Sequence, residues 1–515
     1  MKKTVLFLIA AIAAFATSCT DLTEHLYSDI SKDEFLSSPE NLALYTARPY
    51  TALQEWGVEQ GYWTLVMQIG NELAVPKSYD GHWGEDRYVQ LQTHEIDPSN
   101  KLVRAAWEYC FNGVAACNDA IYELEKLEQN DATRTNIAEI KVLRAFYYLL
   151  ATDLFGQVPY SVDKTETDYP KTKTRGEIVK WIEDEIDANM EYLVTEPSSR
   201  TYGRVTADVA KFVLAKIYLN AEVYTGTARW SEAEKICKEI MDSGHFSLTD
   251  SYGDNFAIYN ETSSEAIFAI PYSTVYTAHC FYPFCLTLNA DLQKLFNVGE
   301  HWNGTHVAQP DFMAGYEEGD LRKKATWLFG DVYDASGKRW AVVDRYDNSG
   351  NPVMVDYTLE DIDIDESEFG AGLGRYKGAR IIKWPYQNDG SLVDYKVSME
   401  NDFILMRYAD VVLMYVEALI RQNKASAAAG VPEFIAIRER AGLAPMTDPT
   451  LDKFLVERQR EMALEGWVHN DLVRFGKYLD AWWAKPADSH AGHILLPIPE
   501  EKRGANPNLG QNPGY

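Results

Sequence analysis

Residues 206–244, TADVAKFVLAKIYLNAEVYTGTARWSEAEKICKEIMDSG, constrain the fold more than any other stretch. Ala210, Val213, Leu214, Ile217, Ala221 and Tyr224 recur at helical spacing and form one apolar stripe. Thr206 is placed to cap the helix start, Asp208 suits its first turn, and Gly226 suits a left-handed stop. A second helix is expected from Ser231 and Glu234, a serine and acid at capping-box spacing, with Gly244 ending it. Its apolar face is Ala233, Ile236, Cys237, Ile240 and Met241. Small residues at 207, 210, 215, 221 and 233 let two backbones approach closely. Neither helix hides its stripe alone, so further helices must stack on this corner.

The tyrosine and alanine placement resembles a tetratricopeptide unit, with an ordinary helical hairpin as the alternative. Other helices are expected at 41–56, 103–127, 137–155, 177–193, 403–422, 432–441 and 451–478. Pair spacing of roughly 35 residues suggests several stacked units. Residues 57–98 break the pattern with Gly, Trp and Tyr and read as a long loop. From 246 to 398 the chain reads as loop-rich and partly β. EAIFAIP (265–271) is a strand, and the turn signals Asp334–Gly337 and Asp347–Gly350 mark short hairpins.

The chain has 515 residues, 46% of them hydrophobic, enough for a large core. Its net charge of −28 argues against a general basic field for nucleic acid or anionic lipid. Lys2 and Lys3 precede an apolar run, 5–15, that is too short to span a bilayer, and ATSC follows. This is a secretory signal over 1–18 with cysteine directly after small residues. It resembles a bacterial lipoprotein signal, which places a lipid on Cys19 and a tether over 19–40; an ordinary signal with a chance cysteine is the alternative. Cys19 aside, five of the six cysteines remain, an odd number and no disulfide framework. Cys110 and Cys117 read as buried thiols.

Catalytic signatures are not evident. The sequence contains no GxSxG, HExxH, Walker loop or paired CxxC. Gly370, Gly372 and Gly374 lack the strand–turn–helix setting of a nucleotide fingerprint. Asp361, Asp363 and Asp365 start like a calcium loop, but Glu366 and Gly372 occupy its glycine and bidentate-glutamate positions. A solvated acidic run is the reading there, with a loose surface cation site as the alternative, and no cofactor or metal centre is expected. Glu461, Glu465 and His469 recur one turn apart, so an acid/base pair or metal site is conceivable. Arg458, Arg460 and Arg474 nearby favour ion pairs instead.

Several segments together resemble the SusD/RagB family of outer-membrane nutrient-binding lipoproteins of Bacteroidetes-type bacteria. They are LRAFYYLLATDLFGQVPY, GRVTADVAKFVLAKIYLNAEVYTG, MRYADVVLMYVEAL, IRERAGL, ERQREMALEGWVHNDLVRFGK and the ending LLPIPEEKRGANPNLGQNPGY. The resemblance implies a mainly α fold: about four tetratricopeptide-like helix pairs with a loop-rich, partly β face packed on them. It implies one domain over 41–515, in parts of about 41–245, 246–398 and 399–515. It also implies a surface lipoprotein, not an enzyme, that captures oligosaccharides for a SusC-like TonB-dependent transporter, with the helices facing that partner. A surface glycoside hydrolase, a binder of another nutrient such as peptide, and a purely structural partner of the transporter remain as alternatives.

Sugars present apolar C–H faces and many hydroxyls, so their sites need exposed aromatics beside polar side chains. In the family, binding residues come from the loop after the first helices and from the middle section. By position, the first loop offers Tyr79, His82, Trp83, Asp86 and Arg87, with Asn71 and Glu72 at its start. The middle offers Tyr276, Tyr282, Trp302 and Asn303. Trp83 and Trp302 rank first because each lies among Gly and polar residues, in DGHWGED and EHWNGT.

Overall fold

A computed structural model describes residues 38–58, 61–74, 85–276, 286–287, 289–297, 306–359, 377–386 and 399–515. The expected signal, Cys19 and nearly all of the tether lie outside these residues, as do Cys280, Cys285, the three aspartates at 361–365 and the glycines at 370–374. The chain divides into two units, Met1–Ala47 and Arg48–Tyr515. Described residues of the first unit begin the helix Pro39–Thr51. All that follows concerns the second.

Helices dominate. Lys101–Leu124 (α1) packs on Asp131–Phe155 (α2), and α2 on Arg175–Asn189 (α3). Gly113 makes the first contact close, because a Cβ there would stand 2.3 Å from the Tyr147 ring. Cys110 and Cys117 are buried free thiols on α1. Ala207–Leu219 (α4) packs on Trp230–Ser243 (α5), and α5 on Tyr408–Arg421 (α6). The helices Leu451–Glu461 (α7) and Val468–Arg474 (α8) complete this half. The mainly α, helix-pair scaffold is therefore as expected.

The corner at 206–244 forms largely as its sequence suggests. Thr206 accepts a hydrogen bond from the Val209 N–H, the apolar stripe of α4 is buried, and Gly226 and Gly244 take left-handed φ of 76° and 72°. The expected Ser231–Glu234 capping box is absent. The helix begins at Trp230, and Glu234 instead accepts from Gln422 and Lys424. Tyr224 donates to Asp153 on α2 at 2.7 Å, so this tyrosine is structural.

Three expectations need correction. Residues 57–98 are not one loop, because they contain the helices Tyr62–Gln68 and Glu85–Thr93. Every residue of Tyr62–Gln68 is buried, so the helix has no polar face for a periodicity to reveal. Residues 403–422 are not one helix: Phe403–Arg407 is a strand antiparallel to Ala266–Ile270, and α6 starts at Tyr408. Residues 451–478 are two helices joined by a corner in which Leu464 and Gly466 have φ of 67° and 87°. That corner is held by distant residues. Trp63 Nε1 donates to the Leu464 carbonyl at 2.7 Å, and the Leu464 N–H donates to Glu72 at 2.9 Å.

Among the described residues the strands are short and antiparallel, in two-stranded pairs. Ala341–Tyr346 and Pro352–Met354 form the hairpin expected around Asp347–Gly350, where Gly350 has φ of 82°. Gly337 at the Asp334 turn has φ of 79°.

Candidate functional site

The smallest sheet positions the site. Leu73–Ala74 pairs with Val307–Ala308 in the register Leu73↔Ala308 and Ala74↔Val307, all four residues buried. The aromatic-rich stretch 75–84 leaves from Ala74, and the stretch 298–305 returns just before His306. Gln309 locks the pair: its Nε2 donates to the carbonyls of Gly70 (3.1 Å) and Leu73 (2.8 Å), and its N–H to Glu72 (3.0 Å). Tyr88, just past the other end of the first stretch, meets the His306 ring edge-on at 5.4 Å.

Two more segments root here. The Ala308 N–H donates to Ala379 at 3.0 Å, and Lys377 bridges Thr358, which brings together the ends of 360–376. Gly378 has φ of 76°, and a Cβ there would stand 2.6 Å from Val307, so only glycine lets the backbone pass. The His306 N–H donates to Leu286 at 3.2 Å and its carbonyl accepts from Thr287, beside the end of 277–285. Burial pushes the His306 imidazole down to about 3, so it stays neutral. Burial pushes the Glu72 carboxyl up to about 8 against the lowering effect of the Leu464 N–H, so Glu72 is protonated at neutral pH. His306 and Glu72 therefore add no charge to these feet.

Tyr79, His82, Trp83, Tyr282, Trp302 and Asn303 lie outside the described residues, as does the side chain of Asp86. Arg87 is half-buried at the loop feet with its guanidinium 5.5 Å from the Tyr88 ring centre. Asn71 accepts from Gln459 Nε2 at 2.9 Å, a bond that ties it to α7. Tyr276 is 90% exposed, an aromatic face open to solvent. The backbone before it is anchored elsewhere, through Tyr272 to Gln54 and Asp402 and through Thr274 to Glu400. Gln309, Gly378 and His306 were not evident as frame residues, since their partners are remote in sequence.

The acid/base alternative at Glu461, Glu465 and His469 meets a different environment. All three are buried. Arg407 donates to Glu461 (2.9 Å), Glu465 (2.7 Å) and Glu265 (3.1 Å). Arg322 donates to Asp320, Glu457 and Glu461, and Arg440 to Glu461. Burial would raise the Glu461 carboxyl, but Arg440, Arg407 and Arg322 outweigh it and hold it well below the carboxylate range. The His469 ring is edge-on to Tyr478 at 4.6 Å. A general acid must reach its substrate, and these three side chains are buried. Ion pairs form, but not with the expected Arg458, Arg460 or Arg474: Glu461 and Glu465 pair with Arg322, Arg407, Arg440 and Lys383, all on other elements. Among the described residues, no three His, Cys, Asp or Glu side chains are placed to hold a metal ion, and no helix is long and apolar enough to cross a membrane.

The profile of the SusD family matches residues 243–515, more than half of the chain. The chain belongs to the SusD family. A second profile, described as starch-binding associating with outer membrane, matches residues 26–219. Starch-binding protein SusD of Bacteroides thetaiotaomicron is 26% identical, over 84% of this chain and 82% of its own length. The solved structure of surface glycan-binding protein A from Bacteroides thetaiotaomicron with laminarihexaose is similar at a TM-score of 0.71 and 22% identity, covering 92% of this chain and 99% of that one. A SusD-like carbohydrate binding protein from Bacteroides fragilis gives a TM-score of 0.72 at 18% identity, covering 92% and 100%. At these identities the structural likeness is one of fold, and this SusD-family chain shares it along nearly its full length.

Proposed function

We infer that this SusD-family protein binds oligosaccharide or polysaccharide nutrients at the outer membrane and passes them to a SusC-like TonB-dependent transporter. The observation that carries the reading is the Leu73–Ala74/Val307–Ala308 pair, which roots the stretches bearing Trp83 and Trp302 side by side. Aromatic side chains among polar ones suit flat sugar rings. The starch-binding relative and the laminarihexaose complex of a protein of this fold support the ligand class. Trp83, Trp302, Tyr79, His82, Asp86, Arg87, Tyr276, Tyr282 and Asn303 are the proposed contact residues. Asn71, bonded to Gln459, is proposed to hold the loop start.

The protein is proposed to be non-enzymatic, because the carboxylates of Glu457, Glu461 and Glu465 are buried and paired with arginines. Lipid on Cys19 would anchor it at the cell surface, and the helices are proposed to meet the transporter. Titration against an oligosaccharide array tests the ligand class. Binding weakened by Trp83→Ala or Trp302→Ala, with no reducing ends released from polysaccharide, supports the reading. Appearance of reducing ends would replace it with the hydrolase alternative. Loss of acyl labelling in Cys19→Ala tests the anchor.

A further inference from the structure

The C-terminal half places one more aromatic against the loop feet. Trp483 is partly buried and packs on Ala74 and Val307, the residues from which the two tryptophan-bearing stretches diverge. It stands there because the turn around it is rigid. Trp482 and Lys485 exchange backbone hydrogen bonds of 3.1 and 2.9 Å, and Lys485 Nζ donates to the Asp480 carbonyl at 2.7 Å. Trp482 points inward, its ring edge-on to His94 at 5.2 Å and its cation partner Lys485 at 4.1 Å. The Trp483 N–H donates to Asp311 at 2.7 Å, which fixes its backbone to the segment just after Val307–Ala308. Ala484 completes the turn at φ of 57°, a left-handed conformation that a residue with a Cβ adopts only when its surroundings impose it.

An indole held in this way loses little entropy on binding and offers a flat apolar face with one N–H donor. Buried deeper it would be core; fully exposed it would be mobile. Resting on the glycan reading above, we propose that Trp483 is a stacking platform at these loop feet, taking a pyranose ring of the bound oligosaccharide. The C-terminal half then contributes directly to ligand binding as well as to the scaffold.

The test uses the strongest ligand from an oligosaccharide array that includes laminarihexaose. Covalent tryptophan labelling of the wild-type protein is read by mass spectrometry with and without that ligand. Affinities of Trp483→Ala, Trp483→Phe and Trp83→Ala are measured by titration. The proposal expects Trp483 labelling to fall at least threefold with ligand. It expects Trp483→Ala to weaken binding on the order of tenfold and Trp483→Phe to recover most of it. Unchanged Trp483 labelling and unchanged affinity in Trp483→Phe and Trp483→Ala, while Trp83→Ala loses binding, would overturn it and leave the glycan reading intact. If Trp483→Ala fails to fold, the wild-type labelling and the phenylalanine variant decide. An array on which the wild-type protein binds nothing would overturn the glycan reading itself, and the proposal with it.

Discussion

At the scale of single residues, buried charge is the most consequential feature. Arg407 faces Glu265, Glu461 and Glu465 with no exposed side-chain surface. Removing one partner of a buried ionic cluster leaves charges without compensation and costs about 3–5 kcal/mol. Arg407→Ala is therefore expected to lower the unfolding free energy read from urea titration by that amount, and an unchanged midpoint would contradict the assignment. Two glycines give a sharper pair. Gly226 has φ of 76° and open space around a notional Cβ, whereas Gly466 has φ of 87° and a notional Cβ 2.6 Å from Trp56. Gly226→Ala should cost about 1 kcal/mol from backbone strain alone. Gly466→Ala adds a clash with a buried ring and should cost about 2–4 kcal/mol, measured by the same unfolding experiment. Gly226 was legible in the sequence because it follows a clean apolar stripe. Gly466 was not, since it lies inside a charged run that reads as one continuous helix. The charged run misled for a related reason. Its arginine partners at 322 and 407 lie 139 and 54 residues from Glu461, and no spacing rule spans such gaps.

At the scale of elements, ionic contacts join the helices of the C-terminal half. Glu417 on α6 accepts from Arg474 on α8 at 2.7 and 2.9 Å. Lys216 on α4 meets Asp410 on α6 at 2.8 Å, and its ammonium lies 3.8 Å from the Trp467 ring centre. Burial would raise the Glu417 carboxyl, but Arg474 and Arg421 outweigh it and hold it down at about 2. The folded value is below the unfolded one, so as pH falls the unfolded chain takes up the proton first. Stability from this contact is full above about 4.5 and is lost as pH falls toward about 2. Glu417→Gln should flatten the fall in stability between those limits, followed by denaturant titration at each pH. The strand pair at the loop feet allows a separate test. Gly378→Val would drive a side chain into Val307 and displace the Leu73–Ala74/Val307–Ala308 pair. It should reduce glycan affinity at least tenfold while far-ultraviolet dichroism stays that of the wild type, because the helices do not depend on it.

Across the whole molecule, the helical scaffold was legible and the site only partly so. Amphipathic helices such as α1 and α5 announce themselves, because one face is wet. Tyr62–Gln68 is buried on every side and carries no such signature. Phe403–Arg407 is likewise buried throughout, and only its pairing with Ala266–Ile270 separates strand from helix. The described ends of four stretches far apart in sequence meet around Val307, and two-residue strands are too short to show a period. Sequence could nominate the aromatics but not the frame beneath them. The helices provide rigidity, the buried charges lock their order, and the proposed sugar contacts lie in the stretches that leave the loop feet. The most direct test is titration of an array-selected oligosaccharide into the wild-type protein and Trp83→Ala, with thermal unfolding of both in parallel. The expected result is micromolar-to-millimolar binding by the wild type, at least tenfold weaker binding by Trp83→Ala, and matching unfolding temperatures. Equal affinities in the two proteins, or no binding by the wild type to any oligosaccharide, would contradict it.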